Sequence, residues 1–152
     1  MNTLQVLIKE FCEINELPPL YFAEENRCQL LVDERYIIYF SETDQNDFIL
    51  SVVFGGLEKS GELRLKGLEL IAHANYFGIA DGSLTLSLAP NGRQLVLAGR
   101  KPIEYLNAAS LSTWFYILNE QTLHWQARFA MLDQDPTQFI NPEQSHIETL
   151  RV

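Results

Sequence analysis

The chain has little of what chemistry needs. Among 152 residues there are two cysteines and three histidines, and neither set has a recognisable spacing. Cys12 and Cys28 form no C-x-x-C pair and are too few for a disulfide framework, so they read as small core residues. His73, His124 and His146 show no H-E-x-x-H pattern, and Glu69 with His73 is an i,i+4 surface pair on a helix. Gly56 to Gly61 has the glycine spacing of a phosphate loop, but Glu62 and Leu63 follow where a lysine and a hydroxyl are required. No serine sits in a G-x-S-x-G elbow, and Asp133 with Asp135 lacks the glycine and distal glutamate of a calcium loop. No catalytic residue, metal ligand or cofactor is expected.

Positive charge is also scarce. Eleven basic residues against twenty acidic ones give a net charge of -9, which disfavours nucleic acid and anionic membrane as partners. Arg93, Arg100 and Lys101, the nearest approach to a basic patch, read as a solvated turn. No apolar run approaches the roughly 18 residues of a membrane span, and Met1 to Glu10 has no basic segment ahead of an apolar one. A soluble cytoplasmic protein is expected. A single domain of this size buries roughly 70% of its unfolded surface, so it needs no disulfide or metal to be stable.

What the sequence has in excess is apolar strand. Tyr36 to Phe40 and Phe48 to Phe54 are apolar on both faces, whereas an antiparallel strand with one wet face alternates. The second face needs a cover. Around these runs the pattern gives a helix over 3–16, with Asn2 and Gln5 as a capping-box variant and Pro18-Pro19 as its stop. Strands follow at 27–32, 36–40 and 48–54, then a helix over 62–77. A hairpin of strands 83–88 and 94–98 turns at Pro90-Asn91-Gly92, and a long helix over about 104–131 carries Leu111, Trp114, Phe115, Leu118 and Trp125. The expected order is α-β-β-β-α-β-β-α, an α+β domain with three helices packed on a twisted antiparallel sheet, over 1–132. Residues 133–152 read as a polar tail, mobile or loosely docked.

The second helix is apolar over roughly 240° of its circumference, against the ~100° that one core requires. One flank carries Leu63, Gly67, Leu70 and Ala74, and the adjoining one Leu65, Leu68, Ile71 and Ala72. A helix-interior glycine costs roughly 1 kcal/mol relative to alanine, which suggests a close approach at Gly67. Either the helix is sandwiched inside one subunit, or it forms the seam of a twofold homodimer through Leu63, Gly67, Leu68, Leu70, Ile71 and Ala74.

Taken with the element order, several local patterns give the chain a family likeness. They are Leu30-Leu31-Val32-Asp33, the helix ending Leu70-Ile71-Ala72-His73-Ala74-Asn75, the hairpin Leu84 to Leu97, Pro102-Ile103 before the last helix, and Trp125 late in it. Over roughly residues 3–131 the chain resembles the class I type III secretion chaperones, the CesT or Tir-chaperone-like group. The resemblance implies a non-enzymatic bacterial homodimer that holds the N-terminal region of a secreted effector in extended, export-competent form. It further implies possible contact with the secretion ATPase, or, as the alternative, a regulatory adaptor of the same fold acting on another protein. The implied client surface lies on the first helix and first strands: Leu17, Leu20, Phe22, Leu30, Val32, Tyr36, Ile38 and Phe40, about half of which must serve as core.

Overall fold

The computed structural model describes residues 3–133. Apart from Asp133, the segment read as a tail lies outside the described residues, as does Asn2 with its capping role. Helix α1 spans Thr3–Ile14, followed by strands β1 (Phe22–Glu24), β2 (Arg27–Val32), β3 (Tyr36–Glu42) and β4 (Asp47–Gly56). Helix α2 spans Glu62–Ala74, strands β5 and β6 span Thr85–Leu88 and Gln94–Pro102, and helix α3 spans Ala108–Ala130. The strands form one antiparallel sheet in the order β1-β2-β3-β4-β6-β5.

The α+β architecture of three helices and an antiparallel sheet is the expected one, with local corrections. A short extra strand, β1, precedes the first expected strand, because Phe22 pairs with Cys28 and Glu24 with Arg27 across a tight turn. Strand β6 runs on to Pro102 rather than ending at Ala98, since β4 pairs with it as far as Asp47. A proline at the last position of a strand costs little. Helix α3 begins four residues later than its periodicity suggests. A single 3₁₀ turn, Ile103–Tyr105, comes first, and the true N-terminus is set by Asn107 and Ser110. The Asn107 side chain accepts from the Ser110 backbone N–H at 2.8 Å, while the Asn107 N–H donates to Ser110 Oγ at 2.9 Å. Helix α2 stops at Ala74 and not at Phe77.

The core lies between one face of the sheet and helices α1 and α3. Period-two alternation puts Phe48, Leu50, Val52 and Phe54 of β4 on this face, with Tyr36, Ile38 and Phe40 of β3 beside them, all buried. Helix α1 contributes Leu4, Leu7, Ile8 and Phe11, and α3 contributes Leu111, Trp114, Phe115 and Leu118. Aromatic rings tie the layers together: Phe11 lies 5.5 Å from Phe40 and 5.4 Å from Phe115, and Phe48 lies 6.1 Å from Trp114. The Tyr36 hydroxyl donates to Asn119 Oδ1, fixing α3 along β3. Cys12 and Cys28 are buried free thiols, and burial pushes the Cys28 thiol up to about 12.

Trp114 can lie against β6 only because residue 99 has no side chain. A Cβ there would stand 2.5 Å from Trp114 Cζ2 and 2.3 Å from the Ser83 carbonyl oxygen, and backbone cannot yield. Gly99→Ala is therefore expected to cost about 1–3 kcal/mol, read as a lower midpoint in urea with an unchanged slope. A second expectation concerns pH. The folded state holds Cys28 protonated beyond the range where the unfolded thiol ionises, so its contribution to stability should be level below about pH 9 and fall as pH rises toward 12. In Cys28→Ala that contribution to the fall should be missing.

Candidate functional site

Among the described residues this layering leaves three surfaces on which the sites expected from sequence fall. The first is the sheet face opposite the helices. Register places Leu31 opposite Ile37 and Val53 opposite Val96, and the pairing of Ile38 with Val52 sets Ile37 beside Val53. These four form an apolar row across β2, β3, β4 and β6. Leu31 is 57% and Val53 36% exposed, and Ile37 and Val96 are half-buried. The far end of the same face is polar: Arg27 lies over the Tyr39 ring at 4.6 Å, and Arg100 meets Asp47 at 2.7 Å. The doubly apolar strands thus have one face in the core and one open, and Ile37, Tyr39, Ile49 and Val53 lie on the open face.

That outcome corrects part of the expected client surface. Tyr36, Ile38 and Phe40 alternate onto the helix-covered face and are core residues, with Ile38 and Phe40 fully buried. Leu30 and Val32 share that face, opposite Ile38 and Tyr36, and are half-buried at its margin. Leu31, on the open face, was legible in the alternation of β2. What period-two counting does not supply is which of two apolar faces the helices will cover.

The second surface is a groove of about 620 Å³ between α1 and the segment that follows it. Ile8 and Cys12 form its floor, Leu17, Leu20 and Phe22 its opposite wall, and Lys9 and Glu13 stand at its rim. Here three of the expected residues do come together. Glu16 takes a left-handed backbone (φ 54) after the helix, and Leu17 N–H donates to the Cys12 carbonyl at 2.9 Å, which folds the wall back onto α1. Burial raises the Cys12 thiol, so it is protonated at neutral pH and contributes apolar surface, not a nucleophile. The groove borders an open sheet edge. β1 pairs only with Arg27 and Cys28, and among the described residues the outer side of β2 from Gln29 to Val32 has no strand partner.

The third surface is α2. Gly67 is its only buried residue, and it faces its own subunit: a Cβ would come within 2.2 Å of Leu57 Cδ1. This accounts for the glycine without a second chain, and corrects its place in the expected seam. Leu70, Ile71 and Ala74 are half-buried and pack toward the same core, and Leu63 is half-buried too. Leu65 (60% exposed) and Leu68 (37%) lie on the outer flank with Ala72, continued by Tyr76 and Phe77, whose rings pack at 4.5 Å. The apolar arc is divided between the subunit's own core and solvent.

Chemically, the three surfaces offer apolar contact and main-chain hydrogen bonds. Among the described residues no group of three His, Cys, Asp or Glu side chains is placed to hold a metal ion, and no helix is long and apolar enough to cross a membrane. The assignment of faces is checked by stability. Leu31→Ser and Val53→Ser should each stay within about 0.5 kcal/mol of the parent, whereas Ile38→Ala should cost about 2–5 kcal/mol in denaturant titration.

Known proteins share this arrangement. The type III secretion chaperone SycH of Yersinia pestis, solved in complex with a stable fragment of YscM2, gives a match with a TM-score of 0.64 at 15% identity, covering 80% of this chain and 98% of that one. The ExsC–ExsE complex gives 0.64 at 19% identity, covering 81% and 90%. The ExoT–SpcS complex of Pseudomonas aeruginosa gives 0.60 at 18% identity, covering 82% and 98%. At these identities the likeness is one of fold. No curated protein matches the sequence closely enough to count as a relative. The profile of the Tir chaperone protein family does match, over residues 6–139, most of the chain, and with the sheet, the helices and the open surfaces it covers, this chain belongs to the Tir chaperone (CesT) family.

Proposed function

We propose that the chain is a non-enzymatic cytoplasmic chaperone of a bacterial type III secretion system. In this reading it binds the N-terminal region of a secreted effector in extended form and keeps it stable and export-competent. The observation that carries the proposal is the adjacency of the Leu17–Leu20–Phe22 groove and the unpaired outer side of β2. An extended segment can take main-chain hydrogen bonds from such an edge and set alternate apolar side chains into the groove, with little demand on its sequence. The apolar row Leu31–Ile37–Val53–Val96 offers a second stretch of cover to the same client. Its solved neighbours include chaperone–effector complexes, such as HopA1 with SchA, which agrees with this use of the fold.

The exposed flank of α2 supports a homodimer. Leu65, Leu68, Tyr76 and Phe77 present large apolar side chains outward on an otherwise acidic chain, the kind of patch that a second subunit covers. The chain should sediment at about twice 17.5 kDa, and Leu65→Asp or Leu68→Asp should give monomer with little loss of fold. A monomeric parent at micromolar concentration would remove this part of the proposal.

The client reading is tested in two steps. Affinity capture from the native host identifies the bound protein, and its purified N-terminal segment is then titrated onto the chain. Binding should bury on the order of 1,000 to 3,000 Å², show a negative heat-capacity change and depend only weakly on salt. Leu20→Asp and Phe22→Asp should lose binding while the dimer and the melting temperature are retained. A captured protein that is not secreted would move the reading to a regulatory adaptor. Full binding by both Leu20→Asp and Phe22→Asp would remove the groove from it.

A further inference from the structure

Among the described residues the two edges of the sheet are treated differently. Strand β5 is the last strand on its side, where an edge normally presents a row of free N–H and C=O groups. Ala89 N–H donates to the Gln94 carbonyl at 2.8 Å, so the pairs next along the ladder, Ser87 with Val96 and Thr85 with Ala98, are the hydrogen-bonded ones. The backbone groups of Leu84, Leu86 and Leu88 consequently point outward. Two of these three are closed by the chain itself. Leu84 exchanges both of its bonds with Ile79, at 3.1 and 3.3 Å. Leu86 donates its N–H to Asn75 Oδ1 at 3.0 Å, and its carbonyl accepts from Asn75 Nδ2 at 2.6 Å.

A side-chain amide carries the donor and the acceptor of a peptide group, so Asn75 stands at this edge as a strand one residue long. Its backbone N–H meanwhile ends α2 by donating to the Ile71 carbonyl at 3.2 Å. One residue terminates the helix and seals the sheet. Aspartate would supply only the acceptor, and leucine, of similar size, neither group.

We infer that Asn75 closes the β5 edge against pairing with the β5 edge of a second copy of this chain, which confines strand addition to the β1/β2 side. A second copy is the relevant competitor because two identical antiparallel edges are self-complementary about a twofold axis. The exposed Leu65–Leu68 flank of α2, the helix that Asn75 ends, offers the means to bring two copies together. The part concerning strand addition rests on the client reading above; the closure of β5 does not.

The test uses the full chain without client. By NMR hydrogen exchange, the Leu86 amide of the parent should be protected at least about tenfold relative to Asn75→Leu, as one hydrogen bond requires. In sedimentation velocity, Asn75→Leu should form species larger than the parent that grow with concentration, and Asn75→Asp should do so to a lesser degree. Adding Thr85→Lys, a charge on the outermost strand, should return Asn75→Leu to the parent's size. An unprotected Leu86 amide in the parent overturns the inference. So does an Asn75→Leu of parental size at all concentrations, or assembly that Thr85→Lys does not reverse. If Asn75→Leu does not fold, the parent's Leu86 exchange and the size of Asn75→Asp decide. Full client binding by the groove variants at unchanged size would count against the client reading alone.

Discussion

Everything in this molecule follows from a shortage of cover. Six strands make a sheet with two faces, and α1 and α3 both lie on one of them. The covered face closes to a dense aromatic core: Phe11, Phe40, Phe48, Trp114 and Phe115 meet across four elements, and Gly99 gives way so that the indole can reach the sheet. That concentration of burial supplies the domain's stability from one side. The other face keeps an apolar row in contact with water, which a protein built only to be stable would replace by polar residues.

Helix α2 occupies a different position in this economy of contacts. Besides the packing of Leu70, Ile71 and Ala74, its ties to its own subunit include Leu57 against Gly67, Arg64 donating to the Gly92 carbonyl at 2.8 Å, and Asn75 bonded to Leu86. The first and third tie it to the ends of β4 and β5, and the second to the hairpin turn between β5 and β6. Such anchoring leaves its outer flank free to meet another molecule without disturbing the aromatic core. Separation of a rigid core from lightly attached binding surfaces suits a protein whose work is to hold something else.

The two sheet edges are treated unequally, and the inequality gives direction. On the β5 side Ile79 and Asn75 take up outward-pointing groups, while on the β1 side a three-residue strand leaves most of β2 uncovered next to an apolar groove. The groove thiol of Cys12 is kept protonated by burial. Specificity in such a surface comes from shape and from which backbone groups are free.

Much of this was legible in the amino-acid order. Alternation in Ser83 to Leu88, the turn at Asn91-Gly92 and the helical spacing of Leu111, Trp114, Phe115 and Leu118 each dictate a local pattern, and such a pattern is a property of neighbouring residues alone. The excess of apolar surface on β3, β4 and α2 was visible for the same reason. Which half of that excess would be buried was not. Ile38 and Ile37 are equally apolar, and only the arrival of α1 and α3 from more than one side of the chain's middle makes Ile38 core and leaves Ile37 outside. Gly67 looked like the mark of a second chain until Leu57, ten residues earlier, packed against it. The role of Asn75 was hidden altogether, because its side chain answers backbone groups of a strand eleven residues away, and no local pattern records where an unpaired hydrogen bond in another element will fall.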